Sequence, residues 1–158
     1  MPPVRRYWAD WRSPGAETIR IRDLLRHNSG LPQPDRSMPD ADGVPAFYRA
    51  AAVAPSVSAN LFCAGPLRAS APADYEYNNC DTIVLAEVLA RVTGQTFEQL
   101  VRQRLAAPLG MRSFGIYDLQ GAHPDHVMPN GEYTDVDRLL NLGVYGASGG
   151  GYGTIADL

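Results

Sequence analysis

No lysine occurs among the 158 residues; all 14 basic side chains are arginine. This stretch therefore holds no lysine amine for nucleophilic or acid–base chemistry. Cysteine is nearly as scarce. Cys63 and Cys80 are too few for a disulfide framework and read as two buried thiols, with a single bridge as the alternative. No apolar run suits a membrane span or a signal peptide, so the compartment stays open. The net charge of −3 gives no electrostatic reason to expect nucleic acid or an anionic membrane as partner. What remains is the make-up of a folded globular chain, 45% hydrophobic and 20% charged. At this length one domain burying roughly 68–70% of its unfolded surface is expected.

The densest pattern is Tyr75-Glu76-Tyr77-Asn78-Asn79, a polar and aromatic cluster running into an amphipathic stripe. Ile83-Val84-Leu85, Val88-Leu89 and Val92 predict a helix to about Thr93, capped by Asn79 or Asp81 and ended by Gly94. Glu87 and Arg91 stand four apart in the favourable order. Thr96 and Gln99 form a capping box for a second helix with Phe97, Leu100, Val101 and Leu105 on its apolar face, stopped at Pro108.

Upstream, residues 1–18 are irregular, with Tyr7, Trp8 and Trp11 set among proline, arginine and glycine. A short helix over residues 22–27 should bury Ile21, Leu24 and Leu25. Arg20 stands where a capping Ser or Thr would serve, a loss of about 1 kcal/mol. Residues 33–43 read as loop, 44–53 as helix and 54–74 as a long loop. Phe114–Tyr117 suggests a short strand, and residues 118–133 a loop with an Asn130-Gly131 turn. Thr134 and Asp137 suggest a helix start running through Leu142. Thr154 and Asp157 are again spaced as a capping box, yet the sequence stops at Leu158, and a helix of one turn cannot offset its nucleation cost. The chain is accordingly read as truncated.

Several motifs carry chemistry only weakly. Gly146-Ala147-Ser148-Gly149-Gly150 fits the Gly-x-Ser-x-Gly nucleophile elbow, but no histidine follows Ser148, and a flexible glycine turn is the better reading. Gly151-Tyr152-Gly153 with Ala156 fits a loose dinucleotide pattern without the βαβ unit it needs. His123-Pro124-Asp125-His126 could offer a metal two imidazoles and a carboxylate, though the proline argues for a turn. His27 reads as a structural hydrogen-bonding residue. No cofactor and no metal are expected.

Taken together and in order, four stretches resemble one family. Ile19-Arg-Ile-Arg-Asp-Leu-Leu-Arg-His-Asn-Ser-Gly-Leu31 closely resembles the Ile-Thr-Ile-Arg-x-Leu-Leu-x-His-Thr-Ser-Gly-Leu signature of serine β-lactamase-like hydrolases. That group holds class C β-lactamases, D-Ala-D-Ala carboxypeptidases and related esterases. Tyr75–Asn79 looks like its Phe-x-Tyr-Ser-Asn element. Arg91-Val-Thr-Gly94, Phe97 and Pro108-Leu-Gly-Met111 resemble the segment that follows it. Ala147-Ser-Gly-Gly-Gly151 and Thr154-x-x-Asp-Leu158 resemble a stretch further on.

The resemblance implies acyl transfer through a serine acyl-enzyme on a β-lactam, a D-Ala peptide or an ester. By position Tyr77 would be the catalytic acid/base and Asn79 the substrate-orienting residue, with Asn78 replacing a small residue and either narrowing or re-polarising the cleft. The family's Ser-x-x-Lys motif is absent from these residues, as is its Lys-Thr-Gly or His-x-Gly strand. A phenol of ordinary pKa is roughly 0.1% ionised at pH 7, and half-ionising it needs about 4 kcal/mol that a neighbouring ammonium helps to supply.

The expectation is thus a single partial domain over residues 1–158. It should be mainly α with minor β, the helical subdomain of an α+β β-lactamase/transpeptidase-like fold, inactive alone. A small-molecule or peptide substrate is implied. Apolar surface around Trp8, Trp11, Phe114 and Tyr152 should lack cover and favour self-association. A non-catalytic binding or scaffolding remnant of the same fold is the alternative.

Overall fold

The chain packs around one helix, α4 (Asn79–Thr93), in a computed structural model that describes residues 1–49, 54–119 and 140–157. Its start and end are set locally. The Asn78 side chain accepts from the Cys80 N–H, so the cap is neither Asn79 nor Asp81 but the residue just before Asn79. Gly94 closes the helix at φ 71°, the left-handed backbone glycine adopts without penalty. Glu87 pairs with Arg91 as the spacing predicts. Ile83 and Val84 are fully buried and Val88 nearly so, each worth roughly 1.5–3 kcal/mol as a buried side chain.

Three shorter helices surround the first half of α4: α1 (Ile21–Leu25), α2 (Ala46–Arg49) and α3 (Pro55–Asn60). α1 buries Leu24 but leaves Leu25 62% exposed, contrary to expectation, because a single turn has only one inward face. Its missing cap is replaced from within. The Asp23 carboxylate accepts from the Arg20 N–H at 2.8 Å. α3 interrupts what reads in sequence as a long loop; Pro55 occupies its first turn, where no N–H is needed. The second half of the helix expected over residues 44–53 lies outside the described residues.

Two further expectations fail on tertiary grounds. Trp8 and Trp11 are buried to 1% exposure and stack at 5.7 Å. The Trp11 indole donates to the Ala59 carbonyl of α3 at 2.9 Å, and the Arg91 guanidinium of α4 sits 3.9 Å over the Trp8 ring. The aromatic segment is thus covered by α3 and α4, rather than left bare. Cys63 and Cys80 form a disulfide, not two thiols, with Cα atoms 5.4 Å apart. The turn after α3 delivers Cys63 to the first turn of α4, a meeting that spacing alone does not show.

Beyond α4, the capping box of Thr96 and Gln99 opens α5 (Phe97–Val101) as expected. The helix does not stop at Pro108. It widens into a π turn over Arg102–Ala106 and continues through α6 (Ala107–Leu109) to Gly110 at φ 72°. A strand β1 (Gly115–Ile116) pairs antiparallel with β2 (Gly151–Tyr152), the whole of the sheet among the described residues. Phe114 and Tyr152 beside it are half-buried. The end of the helix expected from Thr134 through Leu142 is not helical, since Leu140 and the extended Asn141 lead into a 3-10 turn over Leu142–Val144 that the Asn141 side chain opens. Residues 134–139 of that expected helix lie outside the described residues. So do His123, His126 and the Asn130-Gly131 turn. Thr154 and Asp157 pair as their spacing predicts, around a 3-10 turn over Ile155–Asp157. No described helix is long and apolar enough to cross a membrane.

Candidate active site

The Tyr75–Asn79 segment is held from both sides before it enters α4. Residues 27–30 run alongside residues 68–76, with the Glu76 N–H donating to the His27 carbonyl at 2.8 Å. The Ala73 N–H donates to the Asn28 carbonyl at 2.7 Å and the Arg68 N–H to the Gly30 carbonyl at 2.8 Å. Gly30, at φ 72°, is required there: a β-carbon would fall 2.1 Å from the Ala69 carbonyl oxygen. From the other side the Gln33 amide donates to the Tyr77 carbonyl at 2.6 Å.

Tyr77 leans its ring on His27, centroids 4.8 Å apart, and remains half exposed. Its two neighbours do the opposite. Asn78 is buried, capping α4 and donating to the Leu31 carbonyl at 3.0 Å. Its side chain is thus spent on structure, whereas a role in narrowing or re-polarising the cleft was expected. Asn79 is also buried, and its amide nitrogen donates to the Tyr48 hydroxyl at 2.7 Å. Its Oδ1 is buried without a hydrogen-bond partner among the described residues. Tyr77 and Asn79 therefore occupy one stretch of backbone in different surroundings, one open and one enclosed.

Beneath the pair lies Asp81, fully buried, which accepts from the Ser29 hydroxyl and faces His27 Nδ1 at 3.0 Å. Burial pushes its carboxyl up to about 6, against the pull of Ser29 and His27. The same Nδ1 lies 3.3 Å from the Asn78 N–H. One ring nitrogen cannot donate to Asp81 and accept from Asn78 at once, and the shorter contact favours the proton on Nδ1. His27 serves as the structural hydrogen-bonding residue its sequence position suggests, at φ 54°, unusual for a residue with a side chain.

Sequence reasoning did not single out Asp35, Tyr48, Asp81 or Gln33. Asp81 was weighed only as a cap, and a carboxylate two residues past Asn79 on a helix that buries its first turn was the available signal. For Tyr48 no local signal exists, since its partner lies 31 residues away. Burial and then the hydrogen bond to Asp35 hold the Tyr48 phenol well above its usual pKa, so it remains an O–H. A cavity of about 400 Å³ opens beside the 27–30 and 68–76 segments, with Tyr75 and His27 on its wall. Arg36 and Arg68 each pair with Glu76 at 2.7 Å, and chiefly the Arg68 hydrogen bond holds that carboxyl below its usual range.

Ser148, the alternative nucleophile, gives its hydroxyl to the Tyr145 carbonyl at 2.6 Å. Among the described residues no cluster of histidine, cysteine and acidic side chains could hold a metal ion.

The sequence matches the Beta-lactamase family over residues 2–158. It is similar in structure to D-amino acid amidase from Ochrobactrum anthropi SV3, at 22% identity and a TM-score of 0.72 over 98% of this chain and 46% of that one. A D-stereospecific amidohydrolase from Streptomyces sp. is similar at 23% identity and a TM-score of 0.74, over 98% of this chain and 49% of that one. EstCE1, a hydrolase with promiscuous acyltransferase activity, is similar at 24% and 0.65, again over 98% and 49%. The chain thus spans less than half the length of these structures, and at such identities the likeness shows the fold. No match was found among curated protein sequences.

Proposed function

The chain belongs to the Beta-lactamase family of serine hydrolases, and on that premise we propose that it forms one wall of an acyl-transfer site. Tyr77 is the general acid/base and Asn79 orients the substrate. The observation that carries this reading is the contrast along residues 77–79: a half-exposed phenol on an anchored backbone, followed by an enclosed amide whose oxygen has no partner. An enclosed, unpartnered acceptor costs free energy unless something completes it.

In the proposed reaction a serine hydroxyl attacks a carbonyl, its proton passing to the Tyr77 oxygen as the new C–O bond forms. The tetrahedral intermediate collapses, the bond to the leaving group breaks, and the leaving group takes the proton from Tyr77. Water then releases the acyl group by the reverse transfer. The described arginines nearest the site, Arg36 and Arg68, are engaged with Glu76, and the chain has no lysine. The serine and its ammonium partner must then come from residues outside these 158, and the segment alone should be inert. Amides, esters and β-lactams all suit this chemistry; the likeness to a D-amino acid amidase and a D-stereospecific amidohydrolase favours amides of D-amino acids.

The test is hydrolysis of a D-amino acid p-nitroanilide, a nitrophenyl ester and a chromogenic cephalosporin by a protein in which this segment is joined to the serine and ammonium group that the proposed reaction requires. Tyr77→Phe should lower kcat at least a hundredfold on whichever is turned over. The 158-residue chain should show no turnover above its own Tyr77→Phe control. Turnover by the short chain that Ser148→Ala abolishes would overturn the assignment.

A further inference from the structure

Asn79 does not merely sit beside Tyr48; the chemistry of the contact fixes which way its amide faces. A chain of hydrogen bonds links three segments: Asp35 in the 3-10 turn Pro34–Arg36, Tyr48 in α2 and Asn79 at the head of α4. A carboxylate can only accept. Asp35 therefore takes the single proton of the Tyr48 hydroxyl, which leaves the phenol oxygen only lone pairs to offer. Asn79 must then turn its NH₂ towards Tyr48 and its Oδ1 away, the arrangement found at 2.7 Å.

The Tyr48 ring has little freedom to release this arrangement. It is buried, stacked on Tyr145 at 4.6 Å and 11°, and edge-on to Phe47 at 5.3 Å. Its backbone carbonyl accepts from the Asn141 N–H at 3.1 Å. What the relay leaves over is Asn79 Oδ1, enclosed and without a partner among the described residues. An oxygen so placed discriminates in favour of an N–H group and against another acceptor, since a second lone pair opposite it would be repelled.

We propose that Asp35 and Tyr48 are positioning residues that lock the Asn79 amide with Oδ1 presented to an N–H donor. This rests on the acyl-transfer reading above for what the donor does, but not for the lock itself. The donor comes either from the substrate, as an amide or amine N–H beside the reacting carbonyl, or from a protein ammonium.

The lock is tested first in the 158-residue chain, without any need for turnover, by nitrogen-edited NMR of the Asn79 side-chain amide. In the wild-type chain its Nδ2 protons should exchange with solvent at least tenfold more slowly than those of exposed asparagines. Tyr48→Phe should remove that protection while the backbone amides of α4 keep theirs, which separates loss of the lock from loss of fold. Asp35→Asn, a change at an exposed residue, keeps the ring and removes the acceptor-only constraint; the Asn79 signals should shift or double. Unchanged Asn79 signals in both variants overturn the proposal.

The second arm uses a protein in which this segment is joined to the serine and ammonium group that the proposed reaction requires. If the donor belongs to the substrate, Tyr48→Phe should cut kcat/KM at least tenfold on an amide bearing an N–H beside the carbonyl, and hardly at all on the matching ester. If the donor is a protein ammonium, both substrates should lose equally. Values within twofold of wild type on both overturn the proposal. Should Tyr77→Phe leave turnover intact, the acyl-transfer reading fails, while the NMR outcome still decides the lock.

Discussion

Up to Val88 the chain buries Trp8, Trp11, Ile19, Leu24, Leu31, Phe47, Ile83 and Val84 in one continuous core, whereas between Leu89 and Leu119 it buries a single hydrophobic residue, Ala106. Local signals in the two regions are equally good. Each opens a helix on a side-chain cap, Asn78 for α4 and Thr96 for α5. Yet Val92 is 61% and Leu109 67% exposed. The difference is cover. Residues 1–19 and α3 close over the first region, while the apolar face of α5, Phe97, Leu100 and Val101, is only half-buried and Leu109 of α6 is exposed. The candidate active site belongs to the covered region, where buried polar groups such as Asp81, Asn78 and Asn79 are fixed by surroundings they cannot leave. Rigid placement of a functional side chain needs a supporting layer of this kind.

The contrast is broken most directly by truncating one side chain in each region. Trp11→Ala removes a buried indole and its bond to Ala59, and should cost about 3–5 kcal/mol. Leu109→Ala, on the exposed helix, should stay within about 0.5 kcal/mol. Urea unfolding of the two variants decides it; equal losses would mean that the outer helices share the core after all.

The disulfide sharpens the same contrast, because it ties the turn after α3 to the head of α4. Its sequence separation of 17 residues corresponds to about 3 kcal/mol from restriction of the unfolded chain. Cys63→Ala with Cys80→Ala should lower the urea midpoint accordingly. In hydrogen exchange the loss should appear over residues 61–88 and hardly at all over α5. Uniform loss across both regions would show that they unfold as one unit.

A smaller effect is expected from pH. Asp81 holds its proton to about pH 6 when folded, against 3.8 ordinarily. Between those values the folded chain binds the proton more tightly than the unfolded chain, so this residue's contribution to stability falls as pH rises from about 4 to 6 and is level above. The full swing is about 2–3 kcal/mol. His27 and Ser29 are the polar groups that face it. Asp81→Asn should therefore gain on the wild type as pH rises through that window, measured by thermal melts at pH 4, 5, 6 and 7. A constant offset between the two would show that Asp81 does not titrate there.

The order of motifs along the sequence was enough to place the chain in its family, because such motifs are contiguous residues. It was enough, too, for α4 from Asn79 to Thr93, the capping box of Thr96 and Gln99, the Glu87–Arg91 pair and the short strand at residues 115–116. Each of these depends on interactions within about four residues or on backbone preference, which the linear chain states directly. The interior of the site was of another kind. His27 meets Asp81 across 54 residues, Tyr48 meets Asn79 across 31, and Cys63 meets Cys80 only after α3 has turned the chain. No periodicity records such pairings. They arise when separate segments are driven together by apolar burial, and the polar groups trapped between them must then find partners. The sequence by itself determined which backbone carries Tyr77 and Asn79. Only the tertiary structure decided that one would stand open to solvent and the other be enclosed behind Tyr48 with its orientation imposed.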